Sequence, residues 1–100
     1  MTETISYEAA YIVKTPGIVG GKARVNGSRI PVWTLVAHYL NGASPEALAN
    51  DFEISLAQVH GGLAYYYEHK TEIDDDIRTQ MKQAREMKEQ GIGKRHSLLP

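Results

Sequence analysis

One hundred residues give room for one small domain, and 42% hydrophobic residues allow it a modest core. With no cysteine in the chain, disulfides and thiolate metal sites are excluded, and no apolar run approaches the roughly 18 residues of a membrane span. A net charge of −1 is not that of a broadly basic, non-specific nucleic-acid binder.

The distribution of charge says more than its sum. Residues 14–29 carry Lys14, Lys22, Arg24 and Arg29 and no acid, residues 46–76 carry eight acids against Lys70, and residues 78–95 carry six bases and two acids. Such blocks favour contact between opposite charges, within one chain or between copies. The segment MTETISYEAAYIV has no basic region followed by an apolar one, so no secretory signal is expected and the chain reads as soluble and cytoplasmic.

In chain order, AYIV is a short apolar run predicted as β structure and stopped by Pro16-Gly17. GIVGGK (17–22) invites a phosphate-cradle reading. A P-loop, however, needs four residues between its first glycine and Gly-Lys, then Ser or Thr. Gly17 leaves three before Gly21-Lys22, and Ala23 has no hydroxyl. A hairpin rather than a helix is predicted next, so the nucleotide reading is rejected. KARV and SRIPV flank Asn26-Gly27, a dipeptide suited to a two-residue type I′ turn, with Pro31 ending or edging the second strand. That register sets Arg24 opposite Arg29. Like charges so placed call for something negative over them: Asp51, Glu53 or Asp74–Asp76 from this chain or another copy, a nucleic-acid phosphate, or an acidic partner.

From Trp33 the period lengthens to a helix whose face is Trp33, Val36, Ala37 and Leu40, with Leu35 and Tyr39 off it and Asn41-Gly42 as the stop. Ser44-Pro45-Glu46 restarts a short helix carrying Leu48 and Phe52 inward. Ser55 caps a third helix, with Gln58 at capping-box spacing and Leu56, Val59, Leu63 and Tyr66 as its core stripe. A fourth helix is predicted over Ile73–Gln90, where Ile73, Ile77, Met81, Ala84 and Met87 or Lys88 trace one narrow face. Asp74–Asp76 at its start and Arg85 and Lys88 near its end match the macrodipole. Gly91 and Gly93 end it, and KRHSLLP reads as a loose tail. The expected fold is mainly α: a short N-terminal β-hairpin, a trihelical helix-turn-helix core over residues 1–72, and a C-terminal amphipathic helix and tail over 73–100.

The helix pair 45–69 has the outline of a helix-turn-helix. Gln58, Gly61 and Tyr65 are expected to point away from its core. Gln58 is either a reader of adenine edges or a cap residue. Gly61-Gly62, at a cost of about 1 kcal/mol each against alanine, would let a backbone or phosphate approach, although Glu46, Asp51 and Glu53 oppose phosphate there. Within YYY (65–67), Tyr66 and Tyr67 are expected inward and Tyr65 outward at an interface. His38, His60, His69 and His96 lack zinc-ligand spacing, His60 is expected packed, and no catalytic set assembles. The fourth helix can pack on its own domain, join a dimer or enter a partner's groove.

The stretch GIVGGKARVNGSRIPVWTLVAHYLNGASPEALANDFEISLAQVHGGLAYYYEH resembles the bacterial family called domain of unknown function 433, over roughly Tyr11 to Ile73. The marks are the GGK-x-R hairpin ending in RIPV, the SPE helix restart and the QV-to-LAYY helix. Ala23 stands where the family often has proline, Ser28 where it often has threonine, and Gly61-Gly62 replace larger residues. The resemblance implies a homeodomain-like domain related to VapB-type antitoxins, which pair with a PIN-like ribonuclease toxin, neutralise it and bind operator DNA as dimers. On that basis the chain is expected to be a non-enzymatic, homodimeric antitoxin-like protein without cofactor or metal. Lys22, Arg24, Arg29, Ser55 and Gln58 would contact DNA or build the dimer; Tyr65, Ile73, Ile77, Met81, Ala84 and Met87 would engage the partner. The alternative is a protein-interaction module without DNA binding.

Overall fold

The computed structural model describes residues 5–7 and 10–90. Its elements are β1 (Ile5–Tyr7), β2 (Ile12–Lys14), a 3-10 turn (Val19–Gly21), β3 (Arg24–Val25), α1 (Val32–Leu40), α2 (Pro45–Phe52), α3 (Leu56–Glu68) and α4 (Lys70–Glu89). The fold is mainly helical behind a short N-terminal antiparallel sheet, as expected. Gly91, Gly93, His96 and the KRHSLLP tail lie outside the described residues.

The sheet differs from the predicted hairpin. It has three strands in the order β1-β2-β3, both pairs antiparallel, with β2 central. Pairing Ile12 with Val25 puts Asn26 next on the ladder, where its N–H donates to the Tyr11 carbonyl at 2.8 Å. An extended Asn26 cannot take the positive φ that a type I′ turn needs at its first position. Positive φ occurs at Gly27 (83°) and not at Asn26, the pattern of a type II turn. Ser28 widens the loop: its hydroxyl donates to the Val25 carbonyl at 2.8 Å and accepts from the Ile30 N–H at 3.1 Å. Arg24 consequently bridges Pro31, not Arg29. The predicted opposition of Arg24 and Arg29 does not form. Proline at a non-hydrogen-bonded pair leaves no ladder donor missing.

α2 and α3 start where their caps predict. α4, by contrast, starts at Lys70, three residues before the predicted Ile73, because the chain breaks at His69 (φ −131°, ψ 47°) directly after α3 and turns helical again at once, without a side-chain cap. Ser44 Oγ accepts from the Ala47 N–H, with Pro45 at the first helical position. Ser55 and Gln58 close a reciprocal capping box, with Ser55 N–H to Gln58 Oε1 at 2.7 Å and Gln58 N–H to Ser55 Oγ at 3.0 Å. Glu53, in the left-handed region at φ 57°, ends α2 between them.

The faces are turned relative to expectation. α1 packs against α2, α3 and α4, so its buried arc is Val32, Leu35 and Val36 while Leu40 stays exposed. α3 meets α1, α2, α4, β2 and β3, which spreads burial over two sides. Val59, Leu63 and Tyr66 are buried as predicted, but Leu56 at the first turn is exposed. Tyr65 is fully buried and Tyr67 is 59% exposed, the reverse of the expected orientation. The cause is α4: it begins directly after His69 and returns over the Tyr65 side, so that Tyr65 stacks on His69 with ring centres 3.9 Å apart and donates to Glu72 Oε1 at 2.8 Å. Ile73, fully buried, pins α4 to the core, a burial that stabilises by roughly 1.5–3 kcal/mol.

Candidate functional site

Two chemically distinct surfaces follow from this packing: the basic hairpin and the distal half of α4. On the hairpin, β2 and the loop before β3 hold Lys14 and Lys22 against the acidic start of α4. Glu72 and Asp76, one turn apart on the same helical face, take one lysine each: Lys14 Nζ to Glu72 Oε2 at 3.0 Å and Lys22 Nζ to Asp76 Oδ1 at 3.1 Å. Asp74 accepts from the Tyr66 hydroxyl at 2.9 Å, and Asp75 pairs with Arg78. The acidic run predicted as a counterpart for basic residues is therefore committed within the chain: Asp74 to the Tyr66 hydroxyl, Asp75 to Arg78 and Asp76 to Lys22.

Arg24 is placed differently. Its side chain donates from one terminal nitrogen to the Ser28 carbonyl at 2.8 Å and from the other to Thr15 Oγ1 at 3.1 Å. The residue is 9% exposed, Nε is buried without a hydrogen-bond partner, and none of the ion pairs among the described residues includes it. The guanidinium ties the 26–29 loop to the end of β2 through neutral oxygens. The carboxylate or phosphate expected over it is replaced by Ser28 and Thr15, a pairing that sequence did not suggest because both partners are reached only in the observed register.

Of the five residues expected to touch DNA or build the dimer, Lys22 is held by Asp76, Arg24 is buried, and Ser55 and Gln58 satisfy each other in the cap. Arg29 alone of the five is exposed without a described partner. Gly61 does not open a path for an outside group. A Cβ there would lie 2.7 Å from Tyr11 Cβ, so the chain's own approach to β2 fills the space. A Cβ at Gly62 would lie 3.2 Å from Leu35 Cδ1.

The expected partner-binding stripe divides in two. Tyr65 and Ile73 are fully buried and Ile77 is half-buried against the core, so these three serve the fold. Met81 and Met87 are 47% and 50% exposed, and every residue from 81 to 90 is exposed, Ala84 included. A surface cavity of about 300 Å³ is lined, among the described residues, by Gln83, Glu86, Met87 and Gln90. The narrow stripe read from sequence is real as a helical face, but its first half is core and its second half faces solvent.

Tyrosine ionisation follows the packing. Burial, followed by the hydrogen bond to Asp74 and that carboxylate's charge, raises the Tyr66 pKa above the usual tyrosine value of 10.0, against a smaller opposing effect of Lys70. Tyr67 is also raised, first by its hydrogen bond to the Tyr39 hydroxyl at 3.4 Å and then by desolvation. Among the histidines, His38 meets the Phe52 ring edge-on at 5.7 Å and His69 Nδ1 lies 3.0 Å from the Tyr65 carbonyl. His60 is exposed, not packed as expected, because Val59 and Leu63 take the buried side of that turn.

The family described as "Protein of unknown function (DUF433)" matches residues 12–66 of this chain. Among solved structures, the crystal structure of a DUF433 member protein from Anabaena variabilis is similar, at 36% identity and a TM-score of 0.65, with 68% of each chain covered. No curated protein matches the chain.

Proposed function

The chain belongs to the DUF433 family of proteins of unknown function, and from that premise we propose that it is a non-enzymatic protein-interaction module of the antitoxin type. Its contact surface is the distal half of α4, where Met81, Ala84 and Met87 form an apolar ridge flanked by Arg85 and Lys88. The single observation that carries this reading is the half-exposure of Met81 and Met87 on a helix whose proximal half is anchored by Ile73. A helix fixed at one end and bare at the other is suited to lie in an apolar groove of a partner, and methionines adapt to irregular grooves. The resemblance to VapB-type antitoxins makes a PIN-like ribonuclease the partner to test first. Operator DNA draws less support, since Lys22, Arg24, Ser55 and Gln58 are already engaged within the fold.

The test is co-expression with the product of the neighbouring gene. Truncation at residue 73 would take Ile73 out of the core, so point variants are the cleaner tool. Met81→Asp with Met87→Asp should lower recovery of the complex at least about tenfold, as loss of central interface residues does, while Arg29→Ala should leave it unchanged. Equal recovery with both methionines replaced would refute the reading.

A further inference from the structure

We propose that Met81 and Met87 are a reversible modification site: a two-electron oxidant of the peroxide class converts their thioethers to sulfoxides, and the oxidised chain no longer holds the partner that docks on distal α4. The proposal rests on the reading of α4 as a contact surface, and names what regulates that surface.

Composition sets the chemistry. The chain has no cysteine and three methionines, so no thiol stands ahead of the thioethers on the path of a mild oxidant. Met81 and Met87 are 47% and 50% exposed, and oxidation of sulfur follows its access to solvent. Met87 also lines the surface cavity of about 300 Å³ with Gln83, Glu86 and Gln90, ample room for a molecule little larger than water. The sulfur lone pair attacks one oxygen of hydrogen peroxide, and the S–O bond forms as the O–O bond breaks. The proton on the transferred oxygen passes to the departing hydroxide, which leaves as water. Sulfur loses two electrons and the peroxide gains them. Reversal draws two electrons from a dithiol, through a reductase for each sulfoxide epimer, and releases the oxygen as water.

The placement of the two sulfurs separates contact from fold. Every residue from 81 to 90 is exposed, while Ile73, fully buried, holds the proximal half of α4. An oxygen added to either sulfur therefore displaces no core neighbour and is hydrated where it forms. Donors are also at hand, since Arg85 follows Met81 by one turn and Gln83 precedes Met87 by one turn. Charges on this half are mixed, Lys82, Arg85 and Lys88 with Glu86 and Glu89. What a groove can take up is thus the apolar ridge of Met81, Ala84 and Met87. In an apolar groove the sulfoxide oxygen is a strong acceptor stripped of water, and burying such a group unpaired opposes docking. Oxidation turns a flexible apolar side chain into a polar one, which undoes a methionine contact and leaves a solvent-facing helix in place.

The experiment treats the full chain with hydrogen peroxide, removes the peroxide with catalase, and maps sulfoxides by peptide mass spectrometry. Both sulfurs should oxidise in the folded protein within about threefold of their rates in urea, as exposed thioethers do. The circular dichroism spectrum should not change. Mixed with the neighbouring gene product, the oxidised chain should recover at least about tenfold less of it than the untreated chain, as loss of central interface contacts does. Sulfoxide reductases with a dithiol should restore recovery. Met81→Leu with Met87→Leu keeps an apolar ridge of similar volume, and its recovery should be the same before and after peroxide. Oxidation at least about tenfold slower in the folded chain than in urea would overturn the proposal, because both sulfurs would then be shielded. So would a loss of helix on oxidation, an oxidised chain that recovers the partner as well as the untreated one, a loss that the reductases do not reverse, or a leucine variant that still responds to peroxide. The contact reading fails in a different way. Recovery undiminished by Met81→Asp with Met87→Asp removes both readings, whereas loss with those variants and full recovery after oxidation removes this one alone.

Discussion

Replacing Gly61 with alanine separates helix propensity from packing at one position. In an unobstructed helix interior, glycine to alanine gains roughly 1 kcal/mol. At Gly61 the added methyl would stand 2.7 Å from Tyr11 Cβ and 3.1 Å from the first ring carbons. A Cβ fixed to the residue leading into β2 cannot swing aside as a side-chain tip can. Overpacking of this kind costs about 1–3 kcal/mol, and a contact this close belongs at the upper end. The net expectation is a loss of roughly 1–2 kcal/mol, or a fall in Tm of about 4–16 °C for a domain of this size. Gly62→Ala is the internal control. Its methyl would meet only Leu35 Cδ1, at 3.2 Å, and Ile12 Cδ1, at 4.0 Å, both flexible ends. Its stability should lie between unchanged and a gain of about 1 kcal/mol. Tyr11→Ala keeps the offending Cβ and should not rescue Gly61→Ala, whereas Tyr11→Gly should reduce the penalty. Urea unfolding followed by circular dichroism measures all of these on a two-state domain. Gly61→Ala as stable as the parent would refute the claim that α3 carries glycine there to admit the chain's own β2.

Three further outcomes follow from the same packing. Ser28→Ala removes the hydroxyl that serves both the Val25 carbonyl and the Ile30 N–H and should cost about 1–2 kcal/mol in urea unfolding. Leu35→Ala, at a fully buried position, should cost about 2–5 kcal/mol, while Leu40→Ala, 57% exposed, should cost little; equal losses would mean that α1 is rotated. Because the Tyr66 pKa is raised in the fold, its contribution is fully present below pH 10.0 and is lost as pH climbs through the higher folded value. The stability margin of the parent over Tyr66→Phe should therefore hold up to about pH 10 and shrink as the pH rises beyond it, and a constant margin would contradict the assigned environment.

What sequence made legible was local. Ser44-Pro45 and Ser55 with Gln58 state their helix starts within three or four residues, so the caps were readable and are observed. The Asn26-Gly27 turn followed local grammar too, but the ladder bond from Asn26 to Tyr11 comes from a strand fifteen residues earlier and overrode it. A helical wheel assumes one buried side. α3 has several, and the return of α4 decides that Tyr65 rather than Tyr67 is inside. The charge blocks predicted contact between opposite signs, and Lys14 and Lys22 with Glu72 and Asp76 realise it. Which basic residue would go without a carboxylate was not readable, because the burial of Arg24 against Ser28 and Thr15 depends on the register.

The central claim is that distal α4 is a contact surface. The chain has three methionines, so methyl-labelled methionine gives a spectrum in which Met81 and Met87 are resolved by single substitution and observed in the intact protein. On saturation with the neighbouring gene product, the Met81 and Met87 methyl signals should shift together in proportion to the fraction bound. Binding established independently, with both signals unmoved, would contradict the account.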